Sequence, residues 1–253
     1  MLPIPWLDAD RHAPFPAVDT ALRDPNGLLA AGGDLSVPRL VTAYANGIFP
    51  WFSPGEPILW WSPDPRMVFH TDSVHLSRRF RRQLRRSGWI VRADTAFDRV
   101  IAACADSPRA GQRGTWITSA MRDAYCELHR QGHAHSLDVF DGKTLVGGIY
   151  GVAVGRMFFG ESMFSGVSGG SKLALAALAM FLRQHGCPLI DAQVENPHLV
   201  SLGASTMPRA EFSRRIARLR DQDPLPADWS AAFGEHPASS LAGGPDSDES
   251  AAD

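Results

Sequence analysis

The spacing of hydrophobic and polar positions changes near residue 66. Before it, eleven prolines and Gly-rich turns interrupt the pattern, and one amphipathic helix is predicted over 38–46. After it, segments with helical periodicity alternate with short strand-like runs. The predicted helices cover 75–87, 95–105, 118–131, 170–186 and 209–220, and the predicted strands cover 67–70, 89–93, 134–140, 144–154, 156–164 and 188–194.

Short turns connect three of these strands (134–140, 144–154 and 156–164), which predicts an antiparallel meander. A long helix and a buried strand follow, so the fold class is α+β with a mixed, mostly antiparallel sheet. We expect a small irregular N-terminal domain over 1–66 and a larger domain over 67–234. Residues 235–253, rich in Ser, Ala, Gly and Asp, are predicted to be a disordered acidic tail.

Composition excludes several classes of protein. Of 253 residues, 44% are hydrophobic and 21% charged, as in an ordinary globular chain. The longest apolar run has ten residues, whereas a membrane-spanning helix needs about 20, so we expect no membrane partner. Three cysteines without CxxC spacing indicate neither a disulfide framework nor a zinc site, which favours the cytoplasm.

The charge distribution is uneven. The net charge is −2, but the tail carries five acids, so without it the chain stands at +3. The helix at 75–87 has a narrow apolar seam of Leu76, Phe80 and Leu84, and the rest of its surface is basic. Such a surface favours nucleic-acid phosphates, and the alternative is a solvated cationic face. The arginines are Arg78, Arg79, Arg81, Arg82, Arg85 and Arg86.

The run from Gly166 to Gly170 matches the GxSxG nucleophile elbow, with Asp191 and His198 following in hydrolase order. Few parallel strands are predicted before Ser168, so a glycine-rich turn ahead of a helix is the favoured interpretation. The start of that helix, with Lys172 beside it, is suited to holding one phosphate.

A second cluster, His129, His133 and His135, does not have metal-ligand spacing, because Gly132 ends the helix between the first two histidines. We therefore predict no metal site.

The predicted strand at 188–194 gives the strongest chemical signal. Alternation places Asp191 and Gln193 on one face. Asn196 and the proline after it already supply the cap and first turn of the next helix, so Asp191 is not needed as a cap. On strand 156–164, Glu161 shares a face with apolar residues, where a carboxylate requires a cation or hydrogen-bond donors. If the strands are neighbours, two acids and an amide line one apolar pocket; a structural salt bridge is the alternative for Glu161.

The chain resembles bacterial leucyl/phenylalanyl-tRNA–protein transferases in a series of short motifs that run in family order over roughly 1–220. Their ordered combination carries the resemblance, not any one of them. The motifs are Pro25-Asn26-Gly27-Leu28-Leu29-Ala30, Gly32-Gly33-Asp34-Leu35, Gly47-Ile48-Phe49-Pro50-Trp51-Phe52, Leu59-Trp60-Trp61-Ser62-Pro63-Asp64-Pro65-Arg66, Gly114-Thr115-Trp116-Ile117, Gly132-His133-Ala134-His135-Ser136, Val146-Gly147-Gly148, Gly160-Glu161-Ser162-Met163-Phe164-Ser165, Ile190-Asp191-Ala192-Gln193 and Ser201-Leu202-Gly203-Ala204.

The resemblance implies that 67–234 is a catalytic domain like the GCN5-related N-acetyltransferases. It implies transfer of Leu or Phe, less readily Met, from aminoacyl-tRNA to the N-terminal Arg or Lys of a protein, which marks that protein for degradation. We expect a monomer without a cofactor, since aminoacyl-tRNA is already an activated ester. The alternatives are a serine hydrolase using Ser168 and a non-catalytic tRNA-binding module.

The resemblance also implies residue roles. Asp191 and Gln193 match the catalytic pair, and Glu161 matches the acid beside it. As a hypothesis, Glu161 attracts the cationic side chain of the acceptor. Trp51 and Trp116 match aromatic residues around the aminoacyl-adenosine end, and Met163 matches a side-chain pocket position. Where relatives have a Met and two Phe in that pocket, this chain has Ile149, Leu178 and Leu182, which puts its preference between Leu and Phe in question.

Two proton routes are open at this point. In one, Asp191 takes the proton of the amine directly or through Gln193. In the other, the tRNA ribose hydroxyl relays the proton and the pair only positions the reactants.

Overall fold

The computed structural model describes residues 4–8, 10–107 and 117–243. The N-terminal segment predicted to be irregular contains a small four-stranded sheet in the order β1-β2-β4-β3, with one helix beside it. The strands are short, which explains why periodicity did not reveal them. The elements are β1 (Trp6–Leu7), β2 (Leu28–Gly32), α1 (Val37–Ala45), β3 (Phe49–Pro50) and β4 (Leu59–Trp61).

The rest of the described chain forms an eight-stranded sheet in the order β11-β5-β10-β9-β8-β7-β6-β12. Every neighbouring pair is antiparallel except β9 and β10, which are parallel. The predicted α+β class, mixed sheet and meander are confirmed. The strands are β5 (Arg66–His70), β6 (Trp89–Ala93), β7 (Ala134–Asp141), β8 (Thr144–Val154), β9 (Met157–Ser165), β10 (Leu189–Gln193), β11 (Ser205–Met207) and β12 (Glu235–Pro237).

Four of the helices begin at a residue whose side chain caps the first turn. Side-chain oxygens of Ser77, Thr118, Asn196 and Asp228 accept hydrogen bonds from the first turns of α2, α4, α6 and α8. Within the described residues, no helix combines the length and apolar composition needed to cross a membrane. The helices are α2 (Arg78–Leu84), α3 (Phe97–Asp106), α4 (Ser119–Arg130), α5 (Gly170–Gln184), α6 (Pro197–Ser201), α7 (Arg209–Leu219), α8 (Trp229–Phe233) and α9 (Ala238–Leu241).

Two hydrophobic clusters lie on opposite faces of the large sheet. Alternation along β9 sends Phe159 into one cluster and Phe158 into the other. The first cluster also contains Tyr44 of α1 and Trp60 of β4, so the N-terminal elements pack directly on the large sheet. Near residue 66 the chain therefore passes from the small sheet to the large one, while residues of both sheets share the first hydrophobic cluster.

Helix α5 begins in close contact with β8. A Cβ placed on Gly147 would lie 2.4 Å from the Cα of Gly170, so only glycine permits this approach. The contact fixes the start of α5, and with it Lys172, against the centre of the sheet.

The prediction that 235–253 is disordered is wrong for residues 235–243. Strand β12 pairs with β6, and Glu235 forms an ion pair with Arg92, accepting a hydrogen bond from Nε at 2.7 Å and lying 2.6 Å from Nη2. Helix α9 buries Ala238 and Ala242, which lie four residues apart on one face. Acidic composition concealed these few small apolar positions. Residues 244–253 lie outside the described chain.

Candidate active site

Two adjoining cavities open beside the carboxyl end of β10. The larger is a cleft of about 620 Å³, and its wall includes Trp51, Asn196 and His198. The smaller is an apolar pocket of about 110 Å³, and its wall includes Phe69 and Leu175. The two share six lining residues, so they meet along one boundary. The shared residues are Glu161, Ser162, Met163, Ala192, Gln193 and Leu199.

Glu161 lies at this boundary and is held by three hydrogen-bond donors. Tyr44 Oη donates to Oε1 at 2.8 Å, and Tyr125 Oη donates to Oε2 at 2.9 Å. Gln193 Nε2 donates to Oε1 at 2.7 Å, and the two tyrosine hydroxyls also contact each other. The side chains come from α1, α4, β9 and β10, so four elements converge on one carboxylate.

Burial has the largest effect on the pKa of Glu161. It raises the pKa of Glu161 to about 7, against hydrogen bonds from Tyr44, Tyr125 and Gln193 that favour the ionised carboxylate. The charge of Asp191 adds to the rise. Burial and the Glu161 charge raise the pKa of both tyrosines well above their usual value, which keeps them as neutral donors.

Asp191 lines the apolar pocket together with Glu161 and Gln193, but it does not line the larger cleft. Its side chain has 0% exposure and forms a bidentate ion pair with Arg66, which is also fully buried. Arg66 Nε donates to Oδ1 at 2.8 Å and Nη2 donates to Oδ2 at 2.6 Å. The guanidinium lies over the rings of Phe49 and Phe212, at 4.8 and 4.7 Å from their centroids. Both oxygens of Asp191 are thus occupied.

The backbone connects Asp191 to Gln193. The register between β10 and β5 shifts after Asp191, and Gln193 has a left-handed φ of 64°. Its amide N–H donates to Asp191 Oδ1 at 2.9 Å. Asp191 therefore stabilises the bulge that turns the Gln193 side chain toward Glu161.

The predicted pocket residues divide into two groups. Ile149 and Met163 line the apolar pocket, as expected of side-chain recognition. Leu178 and Leu182 are fully buried in the core cluster beneath α5, and the residue of α5 in the pocket wall is Leu175.

The structure describes one of the two aromatic residues predicted at the site. Trp51 stands at the cleft with 37% of its surface exposed and its ring 5.7 Å from that of Trp61. Trp116 lies outside the described residues.

Helix α2 presents its arginines much as the sequence predicts. Arg78, Arg79, Arg82, Arg85 and Arg86 are exposed. Three of them, Arg79, Arg82 and Arg86, line a concave surface of about 410 Å³ together with Gln83 and Ser87. Arg81 is half-buried and donates from Nε to the carbonyl of Leu76 at 3.0 Å. This hydrogen bond connects the helix to the segment before it.

Helix α2 packs against the turn before α5. A Cβ on Gly169, whose φ is +95°, would come within 2.3 Å of the Phe80 ring. Lys172 follows in the first turn of α5 and is half-buried. The Ser171 N–H donates to Ser165 Oγ at 2.9 Å, which uses one of the donors expected to hold an anion.

The hydrolase and metal interpretations fail on geometry. Ser168 lies in an exposed turn after β9, and Asp191 is committed to Arg66. His129 bonds the carbonyl of Ala134 at 2.8 Å, and His135 contacts Asp94 at 2.7 Å. In the part of the chain that the structure describes, no three His, Cys, Asp or Glu residues are grouped to hold a metal.

Sequence reasoning missed Arg66, Tyr44 and Tyr125. Arg66 ends one of the motifs that the chain shares with the family. An arginine that opens a buried strand requires an anionic partner, and that requirement was the signal for Arg66. All three tyrosines of the chain are fully buried, and a buried phenol needs a hydrogen-bond partner. That requirement was the available signal for the two tyrosines on Glu161.

Comparison with known proteins places these features in a class of aminoacyl-tRNA-dependent transferases. A family model described as leucyl/phenylalanyl-tRNA protein transferase matches residues 68–217, and the model of that family's N-terminal domain matches 33–64. The chain belongs to the leucyl/phenylalanyl-tRNA–protein transferase family. The resemblance seen in the sequence motifs is thereby confirmed.

Several curated relatives carry the family name. The protein of Xanthomonas axonopodis pv. citri (strain 306) is 67% identical over 93% of this chain and 94% of its own length. That of Xylella fastidiosa (strain M12) is 65% identical over 90% and 93%. Solved structures similar to this chain include FemX, with 14% identity and a TM-score of 0.43 over 68% of this chain and 66% of FemX. L-PGS from Bacillus licheniformis has 12% identity and a TM-score of 0.37 over 75% and 64%.

Proposed function

We propose that this protein transfers leucine or phenylalanine, and less readily methionine, from aminoacyl-tRNA to the α-amine of an N-terminal Arg or Lys. Family membership supports the reaction. The observation that carries it is the apolar pocket of about 110 Å³ that meets a cleft of about 620 Å³ along a boundary formed by Glu161 and Gln193. The modified protein is marked for degradation, and we propose that the enzyme acts as a cytoplasmic monomer.

The chemistry requires little beyond positioning. The donor is an activated ester, and an α-amine with an ordinary pKa of about 7.7–8.0 is partly neutral near pH 7. The enzyme must hold the amine against the ester carbonyl, accept its proton and stabilise the oxyanion. The pocket suits an aliphatic or aromatic side chain, and the cleft suits the tRNA end and the acceptor.

Gln193 has the best placement to contact the reacting groups, because it lines both cavities and its side chain is fixed by Glu161. Asp191 is proposed as the positioning residue behind it, through the bond to the Gln193 amide. Glu161 and the exposed Glu195 both line the cleft, and their negative charge favours an acceptor that carries an N-terminal cation.

The tRNA is proposed to bind across the basic helix and the start of α5. The exposed arginines of α2 present guanidinium groups to phosphates, and Phe80 keeps that helix beside Lys172. Trp51 and Trp116 are proposed to stack on the terminal adenosine.

We also propose that 67–234 is related to the GCN5-related N-acetyltransferases. The features that support this relation are the meander β7–β8–β9, the long helix α5 and the strand β10 parallel to β9.

The test is incubation of the protein with radiolabelled leucyl-tRNA and a peptide that begins with Arg, beside the same peptide beginning with Ala. We expect label in the Arg peptide alone, loss of transfer in Gln193→Ala, and full transfer in the control Gln222→Ala, which alters an exposed glutamine outside the cleft lining. Binding of leucyl-tRNA without labelled peptide would instead establish a non-catalytic tRNA-binding module.

A further inference from the structure

The boundary between the two cavities contains a single ionisable group. Among the six described residues that line both cavities, Glu161 is the one that can accept a proton near neutral pH. Asp191 lines only the smaller cavity, and Arg66 and the Gln193 amide occupy both of its oxygens. A proton released at this boundary therefore meets Glu161 as the one carboxylate among the described residues that line both cavities.

We infer that Glu161, not Asp191, is the catalytic residue that takes the proton of the attacking amine, and that Tyr44 and Tyr125 are positioning residues that hold it ready. This inference rests on the proposed aminoacyl transfer and names the base for it. It assigns Glu161 a proton-transfer role in addition to the attraction of a cationic acceptor.

The step balances without a co-reactant. The amine lone pair forms the C–N bond to the ester carbonyl carbon, and one N–H proton moves to a Glu161 oxygen. The C–O bond to the tRNA ribose then breaks, its electron pair goes to the departing oxygen, and the proton passes from Glu161 to that oxygen. Glu161 returns to its ionised form for the next cycle.

The hydrogen bonds leave room for this proton. A carboxylate offers about four acceptor positions. Tyr44 and Gln193 use two on Oε1, and Tyr125 uses one on Oε2, so an acceptor position remains on Oε2. The two phenols come from separate helices, α1 and α4, and fix the orientation of the carboxylate.

The charges around Glu161 set its proton affinity close to that of the amine. Burial raises its pKa to about 7, and the charge of Asp191, itself paired with Arg66, raises it further. The phenol and amide donors oppose that rise. A base is most effective when its pKa lies near the working pH and near that of the group it deprotonates. An amine of pKa about 7.7–8.0 meets that condition.

The phenols give the inference a signed test. Each stabilises the ionised carboxylate, so removing one raises the pKa of Glu161. Protonated Glu161 cannot accept the proton, and the acidic limb of the kcat/KM profile must then move to higher pH. A hydrogen bond to a charged group predicts a shift of about 1–2 pH units.

The experiment records pH profiles of leucine transfer to one Arg-initiated peptide, so the ionisation of the amine is common to all variants. Tyr44→Phe and Tyr125→Phe should each shift the limb upward. Tyr150→Phe, which removes the third buried phenol and whose ring packs edge-on against Tyr125, should leave the limb in place. Glu161→Gln should lower kcat about 10²–10⁴-fold with unchanged affinity for leucyl-tRNA.

A second measurement covers variants that fold poorly. Titration of wild-type protein with ¹³C-labelled glutamate carboxyls should show a resonance, absent from Glu161→Gln, that titrates near pH 7. An unmoved limb in both phenol variants, or full transfer by Glu161→Gln with loss of transfer from 2′-deoxy-terminated leucyl-tRNA, would overturn the inference. A wild-type protein that transfers nothing would instead refute the proposed function, and the titration would still report on Glu161.

Discussion

Removing the charge of Arg66 should destabilise the protein far more than removing a surface arginine. Arg66 and Asp191 both have 0% exposure and are joined by two hydrogen bonds of 2.6 and 2.8 Å. Arg66→Met leaves the Asp191 carboxylate buried without its counter-charge. Breaking a buried ion pair in this way costs about 3–5 kcal/mol.

The same loss can be expressed as a melting temperature. For a domain of 150–250 residues, 1 kcal/mol corresponds to about 2–4 °C, so Arg66→Met should lower Tm by roughly 6–20 °C. Circular dichroism during thermal and urea unfolding measures it. The matched control is Arg215→Met, which breaks the half-exposed pair with Glu211 at 2.6 Å and should cost at most about 1 kcal/mol.

A double-mutant cycle isolates the pair. Asp191→Asn alone leaves Arg66 as the buried unpaired charge, whereas the double variant leaves neither charge. The double variant should therefore be more stable than the sum of the single changes by about 2–3 kcal/mol. If the effects simply add, or if Arg66→Met costs no more than the Arg215 control, then the pair is not desolvated as the structure places it and the reasoning fails.

Activity provides a second readout of the cycle. Because Asp191 also accepts the Gln193 N–H, Asp191→Asn should cut turnover far more than affinity for tRNA. Equal loss of both would remove Asp191 from the catalytic machinery altogether.

Three further predictions concern tRNA binding, the pocket and the seat of the basic helix. Replacing Arg82 and Arg86 by Ala should flatten the salt dependence of tRNA binding by roughly one unit per lost phosphate contact, and an unchanged slope would make α2 a solvated face. Met163→Ala should enlarge the apolar pocket and raise the ratio of Phe to Leu transfer about tenfold, measured in parallel kcat/KM assays. Gly169→Ala should cost about 1–3 kcal/mol in thermal unfolding and weaken tRNA binding, since its Cβ would meet the Phe80 ring; a neutral effect would contradict that contact.

Most of the large sheet could be predicted because each long element carries its own signal. Strand β8 was predicted at its observed bounds, Thr144–Val154, from its apolar run and the turns at its ends. The short strands β3 and β11 have two and three residues, too few for any period to be detected. Such strands exist because a neighbouring strand pairs with them, which is a property of the fold and not of their own residues.

For the site, likewise, the sequence predicts local features but not the partners that come from distant parts of the chain. Alternation placed Asp191 and Gln193 on one face, but the bulge after Asp191 is what turns Gln193 toward Glu161, and no pattern says what occupies the space opposite Asp191. Arg66 lies 125 positions away along the chain, and Tyr44 lies 117 positions from Glu161. Neither pairing leaves a local pattern, so the sequence does not predict which side chains hold the two carboxylates.

The same contacts show how the N-terminal elements contribute to the candidate site. Tyr44 of α1 donates to Glu161, Phe49 of β3 lies against the Arg66 guanidinium, and Trp51 stands at the cleft. None of these residues belongs to the large sheet, yet Tyr44 and Phe49 contact side chains that the large sheet carries, and Trp51 lines the cleft beside them. A chain that began at residue 67 would leave Asp191 without its cation and Glu161 without one of its donors. The Glu161 carboxylate therefore lies where the two sheets meet, and the N-terminal segment supplies the Tyr44 hydrogen bond that favours its ionised form and lowers its pKa against the effect of burial.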